Sequence, residues 1–312
     1  MKTDISTSTF NLAAIDIGSN AARLLVKSVR RDEDGVLHFQ KLQFVRFPLR
    51  LGVDVFFSRK ISDEREVQFV RLMKAYRQLM ILYKVKAYRA CATSALRDAR
   101  NGRKILRRIK KEVGIGIEII SGEEEARTIY NTHIEKLLAM SASATEDGCK
   151  QYLYVDVGGG STEVSCIEDG ELKASRSFNI GTLRLLSGMA GREQMDEMCR
   201  ETAGMVNVQK PCSIIGSGGN INKLYRLVPK NSRLKDALTL HQLEMLHGQL
   251  SALSVEERIR EFDLRPDRAD VIVPAASIFL QIARAVHAED IVVPTMGLSD
   301  GIVNALAVKA FE

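Results

Sequence analysis

A carboxylate followed by a run of glycines is the clearest chemical signal in this chain. Asp156 ends the apolar segment YLYVDV, which predicts a buried strand, and Glu163 begins a second strand after the glycines. Glycines carry no Cβ, so the backbone can turn tightly and bring its N–H groups close to a bound anion. This hairpin predicts a phosphate-binding loop and differs from a Walker loop, where a helix follows the glycines. The residues expected to bind phosphate here are Gly158, Gly159, Gly160, Ser161 and Thr162.

The same arrangement occurs earlier in the chain, in LAAIDIGSNAARLLV at 12–26. Asp16 aligns with Asp156, and Arg23 aligns with Glu163, at a constant spacing between the two copies. The repeat predicts an internal duplication that places two phosphate loops face to face. Because Mg²⁺ needs only one or two protein carboxylates besides phosphate oxygens and water, Asp16 and Asp156 are candidates to hold Mg²⁺ or to orient a water. The phosphate-binding candidates of the first loop are Gly18, Ser19, Asn20 and Arg23.

Three further segments carry groups that phosphate chemistry could use. The turn GSGGN precedes a predicted helix, so its candidates Gly218, Gly219 and Asn220 can present backbone N–H groups to an anion. Acidic residues at 123–125 lie in the first turn of another predicted helix, where the helix dipole alone favours them. A carboxylate among them that points into a cleft between the loops would suit a general base for water. Arg97 follows a predicted strand and could clamp a phosphate bidentately.

The elements predicted around these loops form two similar halves. The first half has strands at 10–17, 23–29 and 36–44, a helix at 61–83, a strand at 85–91, a basic helix at about 101–113, a strand at 115–120 and a helix from 121 to about 139. After a polar loop at 141–148, the second half has strands at 151–157, 163–168 and 171–178, helical segments within 181–207, a strand at 211–216, an all-helical insertion at about 221–287, a strand at 290–295 and a helix at about 298–311. Each half therefore follows the order βββαβαβα. We predict an α/β fold with domains at 1–122 and 123–312, in which the last helix, about 298–312, can pack back on the first domain.

Composition narrows the class of protein and of partner. With 312 residues, 45% hydrophobic and 27% charged, the chain is typical of a soluble globular protein, and no apolar run approaches the length of a membrane span. The N-terminus shows no secretory signal, and the five cysteines are scattered, so we expect free thiols and a cytoplasmic protein. A net charge of +6 favours a polyanionic partner. The absence of Trp and the low aromatic content of 6% argue against a nucleic-acid groove.

The run RNGRKILRRIKK at 100–111 contains seven Lys or Arg residues and an apolar side. Charged faces of amphipathic helices are commonly just solvated. The alternative is that this helix guides a long anionic chain towards the site. The sequence leaves both interpretations open.

Six ordered segments resemble the landmarks of the exopolyphosphatase / guanosine pentaphosphate phosphohydrolase family, within the superfamily of actin, hexokinase and the heat-shock ATPases. They are AAIDIGSNAARLLV, RACATSALRDARN, IISGEEEARTIY, YVDVGGGSTEV, GSGGNINKL and PTMGLSDGIV. They are spread along the whole chain, so the resemblance extends over all of it. The resemblance implies two ribonuclease-H-like domains with a cleft between them. It also suggests a homodimer.

The activity that this resemblance implies is hydrolysis assisted by Mg²⁺. Water would attack the terminal phosphoryl group of polyphosphate, or the 5′ γ-phosphate of guanosine pentaphosphate. Glu124 matches the family's catalytic base, and Arg97 matches its phosphate clamp. Asp16, Asp156 and Glu163 match ligands of the metal or of a water. Phosphoryl transfer depends mainly on positioning and charge neutralisation, which loops, an arginine and a metal supply.

Two departures from the family pattern affect the expected substrate. Ala21 stands where many members carry a polar residue, which removes one potential phosphate contact. Longer members continue with a helical HD-like domain and a C-terminal domain, so we expect a preference for short polyphosphate chains. The alternatives are a guanosine pentaphosphate phosphatase, an ATP-dependent kinase of the same fold, and a non-catalytic sensor of phosphate or nucleotide.

Overall fold

The computed structural model describes residues 9–128, 151–229, 236–294 and 297–311. The first stretch contains β1 (Thr9–Ile17), β2 (Ala22–Arg31), β3 (Leu37–Phe47), α1 (Leu51–Ser58), α2 (Asp63–Leu82), β4 (Val85–Ala92), α3 (Ser94–Asp98), α4 (Gly102–Val113), β5 (Glu118–Ile119) and α5 (122–128). The later stretches contain β6 (Gln151–Val157), β7 (Thr162–Glu168), β8 (Glu171–Phe178), α6 (Thr182–Leu186), α7 (Arg192–Ala203), β9 (Cys212–Ser217), α8 (Gly219–Leu227), β10 (Ala237–Thr239), α9 (Leu240–Ser251), α10 (Val255–Phe262), α11 (Pro266–Ala269), α12 (Ile272–Ala285), β11 (Asp290–Val292) and α13 (Leu298–Phe311).

The chain divides into two compact units. One runs up to Ile120 and includes the chain from Leu298 onward, and the other comprises Ser121–Gly297. The last helix, α13, packs on β1, β2 and β4 of the first unit. The sequence prediction divided the chain after residue 122, within two residues of this division.

The first unit is built on a five-stranded sheet in the order β3-β2-β1-β4-β5. The three leading strands pair antiparallel as consecutive hairpins, whereas β4 runs parallel to β1 and β5 parallel to β4. Within β1, residues 12–15 are fully buried, which is typical of a strand covered on both faces. The predicted strand at 115–120 is shorter than expected, because only Glu118 and Ile119 pair with β4.

The second unit repeats this topology. Its six strands lie in the order β10-β11-β9-β6-β7-β8. Without β10, the sheet has the same order and the same strand directions as the first one. The predicted fold class, an α/β protein with two ribonuclease-H-like units, is therefore confirmed, and the duplication is visible at the level of strand order.

The predicted all-helical insertion at about 221–287 is wrong in one place. Residues Ala237–Thr239 form β10, which pairs antiparallel with β11 and extends the sheet at its edge. Three residues are too few to give a strand signal of their own, since the pairing depends on a partner about 50 residues further along the chain. The described remainder of the insertion is largely helical and includes α12, whose buried residues include Ile278 and Phe279.

Gly216, in the third glycine turn, has a role in this core. A Cβ at this position would lie 2.8 Å from Ile291 and 3.0 Å from Ile221. Gly216 is therefore needed for close packing of the core. The later residues of the turn, Gly218 to Asn220, remain the candidates for phosphate binding. In the part of the chain that the structure describes, no helix is long and apolar enough to cross a membrane.

Candidate active site

The two predicted phosphate loops are closed by the same backbone hydrogen bond. The Gly18 N–H donates to the Ala21 carbonyl over 3.0 Å, and the Gly158 N–H donates to the Ser161 carbonyl over 2.9 Å. Each hairpin therefore ends in a two-residue turn directly after the strand that carries the aspartate. The equal spacing seen in the sequence corresponds to equal geometry.

The start of α6 holds the second loop through hydrogen bonds to the loop's carbonyl groups. Residues 182–184 donate their backbone N–H groups to the Gly158 and Gly159 carbonyls over 2.8–3.2 Å, and Nε of Arg184 donates to the Gly160 carbonyl over 2.8 Å. With these carbonyls turned towards α6, the Gly159 and Gly160 N–H groups donate to no described residue. Unpaired amides on a glycine turn are suited to bind phosphate oxygens.

The first loop is supported in the same way by the start of α1. The Gly52 N–H donates to the Ser19 carbonyl over 2.8 Å, and the Arg50 N–H donates to the Asn20 carbonyl over 2.9 Å. Ser19 is only 2% exposed, and its hydroxyl makes no hydrogen bond to any described residue. A buried hydroxyl without a partner is destabilising, and a phosphate oxygen bound in the loop would satisfy it.

A row of charged residues crosses the first sheet just below its loop. Asp16 of β1 lies opposite Arg23 of β2, which lies opposite Arg46 of β3. Oδ2 of Asp16 accepts a hydrogen bond from Nη1 of Arg23 over 2.6 Å. Arg23 lies beside the loop, because a Cβ on Gly18 would be 3.6 Å from its Nη1. The row carries one negative and two positive charges, which favours an anion near it. The sequence did not single out Arg46.

The equivalent row of the second sheet has the opposite charge. Asp156 of β6 lies opposite Glu163 of β7, which lies opposite Ser177 of β8. Oγ of Ser177 donates to Oε1 of Glu163 over 2.9 Å, and Oγ of Ser217 donates to Oδ2 of Asp156 over 3.4 Å. Two carboxylates directly opposite each other are destabilising unless a cation or a proton lies near them. This pair therefore fits a cation.

The donor set suits Mg²⁺ better than a metal that needs a closed protein cage. Among the described residues, no three His, Cys, Asp or Glu side chains converge on one point. Mg²⁺ requires only one or two carboxylates, completed by water and phosphate oxygens, and Asp156 with Glu163 can supply them. Asp16 fits this role less well than the sequence suggested, because Arg23 already neutralises its carboxylate.

The third glycine loop lies against the same carboxylate. Gly218 has φ +103°, which disfavours any side chain, and a Cβ there would lie 2.9 Å from Oδ1 of Asp156. Gly219 and Asn220 then begin α8, and the Arg268 guanidinium donates to the Gly219 carbonyl. In the second unit, the third glycine loop therefore lies beside the Asp156 carboxylate, which stands two residues before Gly158.

The helix that carries Glu124 begins beside the Asp–Glu pair. Oγ of Ser121 accepts a hydrogen bond from the Glu124 N–H over 3.0 Å, which caps α5 as predicted. Gly122 leaves no room for a side chain, because a Cβ there would lie 2.2 Å from Oγ of Ser177 and 3.6 Å from Oε1 of Glu163. The first turn of α5 is thus pressed against the residue that holds Glu163. The Glu124 side chain is exposed.

Arg97 is part of the framework of the first unit. Its Nη1 donates to the Ile120 carbonyl over 2.6 Å, at the point where the chain leaves β5. The turn before α3 is tied to the end of β1, because the Thr93 N–H donates to the Ile17 carbonyl over 3.1 Å. Arg97 therefore stands at the same edge of the sheet as the first phosphate loop.

The strand order defines the class of fold: an α/β protein with two ribonuclease-H-like units, as in the actin-like ATPase fold. This chain belongs to the Ppx/GppA phosphatase family, whose model matches residues 28–310. The resemblance carried by the six segments is therefore confirmed.

Individual relatives are distant but align over nearly the whole chain. The chain is 25% identical over 310 residues to Exopolyphosphatase 1 of Mycobacterium tuberculosis, covering 94% of this chain and 87% of that protein. It is 26% identical over 307 residues to the Guanosine-5′-triphosphate,3′-diphosphate pyrophosphatase of Aeromonas salmonicida, covering 94% of this chain and 59% of that protein. A crystal structure of the Aquifex aeolicus member of the family aligns with a TM-score of 0.75 at 25% identity, covering 97% of this chain and 99% of that one.

Proposed function

We propose that this protein is an exopolyphosphatase, which uses water to release the terminal phosphate of inorganic polyphosphate. The observation that carries the proposal is the second phosphate loop. Its carbonyls are held by α6, the Gly159 and Gly160 amides are left to bind an anion, and the Asp156–Glu163 pair lies next to it. Loops that bind phosphate beside a cation-binding pair are the parts that phosphoryl transfer requires.

In this proposal, Glu124 is the general base. It removes a proton from the attacking water. It lies in the first turn of α5, which Ser121 caps and whose Gly122 packs against Ser177. Arg97 and Arg23 bind phosphate oxygens and neutralise the charge of the phosphoryl group as it is transferred to water.

Magnesium is the proposed cofactor, held by Asp156 and Glu163. When bound, it would neutralise phosphate charge and stabilise the leaving oxygen. Asp16 is assigned a different task from the one that the sequence suggested: its hydrogen bond to Arg23 fixes the guanidinium beside the first loop.

Guanosine pentaphosphate is the second candidate substrate. The Aeromonas relative, whose name describes a pyrophosphatase of guanosine 5′-triphosphate 3′-diphosphate, is 26% identical to this chain, against 25% for the exopolyphosphatase. The 5′ end of that nucleotide is also a short phosphate chain, so the same loops can bind both substrates.

The test is phosphate release by the wild type and by Glu124→Gln with Mg²⁺. Tripolyphosphate, long-chain polyphosphate, guanosine pentaphosphate and ATP are compared in parallel. Gln keeps the shape and removes the base, so we expect a loss of about 10²–10⁴-fold on the preferred substrate. Glu123→Gln, in the same helical turn, is the matched control and should retain activity. A wild type that binds these compounds but releases phosphate from none would favour the sensor, and phosphate transfer from ATP to an acceptor would favour the kinase.

We also propose that the protein works in the cytoplasm as a homodimer. The dimer follows from the family resemblance alone. The cytoplasmic location is supported by free thiols at Cys166 and Cys199, since such thiols persist in a reducing compartment. Light scattering coupled to size-exclusion chromatography would show twice the chain mass if the dimer forms.

A further inference from the structure

The helix α4 is apolar on one face and strongly basic on the other. Ile105, Leu106, Ile109 and Val113 are buried in the first unit. The six cationic side chains of the helix are all exposed, namely Arg103, Lys104, Arg107, Arg108, Lys110 and Lys111. The buried face explains why the helix packs where it does, but it does not explain the concentration of charge on the other face.

Among the residues that the structure describes, carboxylates pair with one of these six cations, Arg108. Nη1 of Arg108 lies 2.8 Å from Glu66, and its Nε lies 2.6 Å from Glu112, the single acidic residue of the helix. These carboxylates raise the pKa of Arg108 above its already high value. The other five form no ion pair with any residue that the structure describes, and we call them the α4 basic face: Arg103, Lys104, Arg107, Lys110 and Lys111.

The arrangement of the α4 basic face opposes the stability of the helix. Arg103 and Lys104 lie in the first turn, where the helix dipole favours acidic residues. Arg103 and Arg107 are four residues apart, and Arg107 and Lys111 are also four apart, so each pair places like charges side by side. A surface that served only solubility could carry mixed charges at lower cost. An anion bound along the helix would remove this repulsion.

The α4 basic face begins next to the proposed phosphate clamp. A Cβ on Gly102 would lie 2.7 Å from the Leu96 carbonyl, so the start of α4 is pressed against α3, the helix that contains Arg97. Arg103, Arg107 and Lys110 recur at helical spacing and form a stripe along the helix. A helix of 12 residues is about 18 Å long, which is long enough to contact many consecutive units of an extended anion.

We propose that the α4 basic face is a docking surface for a linear chain of phosphates, which binds the part of a long polyphosphate that extends beyond the catalytic loops. The proposal rests on the proposed function and adds to it a site outside the loops. Polyphosphate is favoured over single-stranded nucleic acid because α4 contains no aromatic residue on which a base could stack.

The test compares substrates of different length. The triple variant Arg103→Gln, Arg107→Gln, Lys110→Gln should raise KM for long-chain polyphosphate several-fold and leave kcat and KM for tripolyphosphate unchanged. Direct binding is measured without Mg²⁺ from the fluorescence anisotropy of end-labelled long-chain polyphosphate. Each cation that contacts the polyphosphate should contribute about 0.7 to the slope of log Kd against log salt concentration. The triple variant should therefore have a slope that is smaller by about 2.

Two neighbouring residues provide a matched control. Arg107→Gln and Arg108→Gln change the net charge equally, but Arg108 is already paired with carboxylates. We expect Arg107→Gln to weaken binding of long-chain polyphosphate and Arg108→Gln to change it little. Equal effects would refute the docking surface and indicate a general effect of net charge.

The remaining outcomes separate this proposal from the proposed function. If the wild type hydrolyses none of the phosphate substrates, but the triple variant still loses affinity for long-chain polyphosphate, the docking surface stands and the exopolyphosphatase fails. If the wild type hydrolyses polyphosphate and the triple variant has the wild-type KM and kcat for both long-chain polyphosphate and tripolyphosphate, the docking surface is refuted and the exopolyphosphatase is not. Tighter binding of polyuridylate than of polyphosphate, lost in the triple variant, would overturn the choice of partner.

Discussion

Replacing Gly122 by alanine tests whether α5 is positioned by its contact with β8. The added Cβ would lie 2.2 Å from Oγ and 2.3 Å from Cβ of Ser177, and ordinary contact begins at 3.4 Å. Rotation of the Ser177 side chain cannot remove the clash, because the Cβ of Ser177 is itself too close. Either α5 or β8 must therefore move by about 1 Å.

Both possible movements affect the proposed catalytic groups. A shift of α5 displaces Glu124, whereas a shift of β8 displaces the Ser177 hydroxyl that donates to Glu163. Overpacking of this kind costs about 1–3 kcal/mol of folding free energy. A displacement of about 1 Å at a catalytic group can reduce the rate by about 10²-fold. We therefore expect Gly122→Ala to lower kcat for phosphate release by about 10²-fold, with a fall in Tm of roughly 2–4 °C per kcal/mol lost.

Two variants make this prediction specific. Gly248→Ala is the matched control, because a Cβ added at that position of α9 would have no described atom within 4 Å apart from its chain neighbours and its own helix backbone. It should leave Tm and kcat unchanged or slightly raise Tm. Adding Ser177→Gly removes the atoms that clash, so the double variant should be no slower than Ser177→Gly alone. The reasoning is refuted if Gly122→Ala keeps the wild-type kcat and Tm, or if its effect persists in full in the Ser177→Gly background.

Two further predictions concern the second loop and the acid stability of the first unit. Gly181→Ala would place a Cβ 2.5 Å from the Gly160 amide nitrogen, so it should distort the loop and reduce phosphate release by at least an order of magnitude; unchanged kinetics would show that the loop does not bind substrate. Burial raises the pKa of Asp54, but hydrogen bonds from Ser62 and Arg65 outweigh it and hold that pKa below its ordinary value. The carboxylate therefore stabilises the fold above about pH 4 and loses this effect as the pH falls through the lowered pKa. Thermal melts should show Asp54→Asn to be less stable than the wild type at pH 7, with a difference that shrinks below pH 4, and a difference independent of pH would contradict this.

Sequence reasoning located the loops because their geometry depends on local residues. A two-residue hairpin turn next to an aspartate needs glycine or small polar residues at fixed positions, and both copies show them. The start of α5 was visible for the same reason, since Ser121 is a capping residue and its hydroxyl caps the helix.

The features that were missed depend on contacts between distant parts of the chain. The helix α1 follows Arg50, which has φ +52° and no side-chain cap, so nothing in the local sequence marks its start. Ser177 was predicted only as the end of a strand, and its importance follows from a register that places it opposite Glu163. The hydrogen bond between Asp16 and Arg23 could have been predicted from the sequence, because the two residues face each other across a hairpin whose turn is recognisable there.

The two copies of the hairpin differ in charge although they share the same strand pairing. Both sheets place an aspartate at the end of the central strand, with two further residues in register beside it. In the first sheet these are Arg23 and Arg46, and in the second they are Glu163 and Ser177. Because the backbone is the same in both, the difference in charge comes entirely from side chains that the strand pairing leaves free to vary. We infer that the rows beside the two loops diverged by charge. In the proposed function, the first row helps to neutralise phosphate and the second holds the metal.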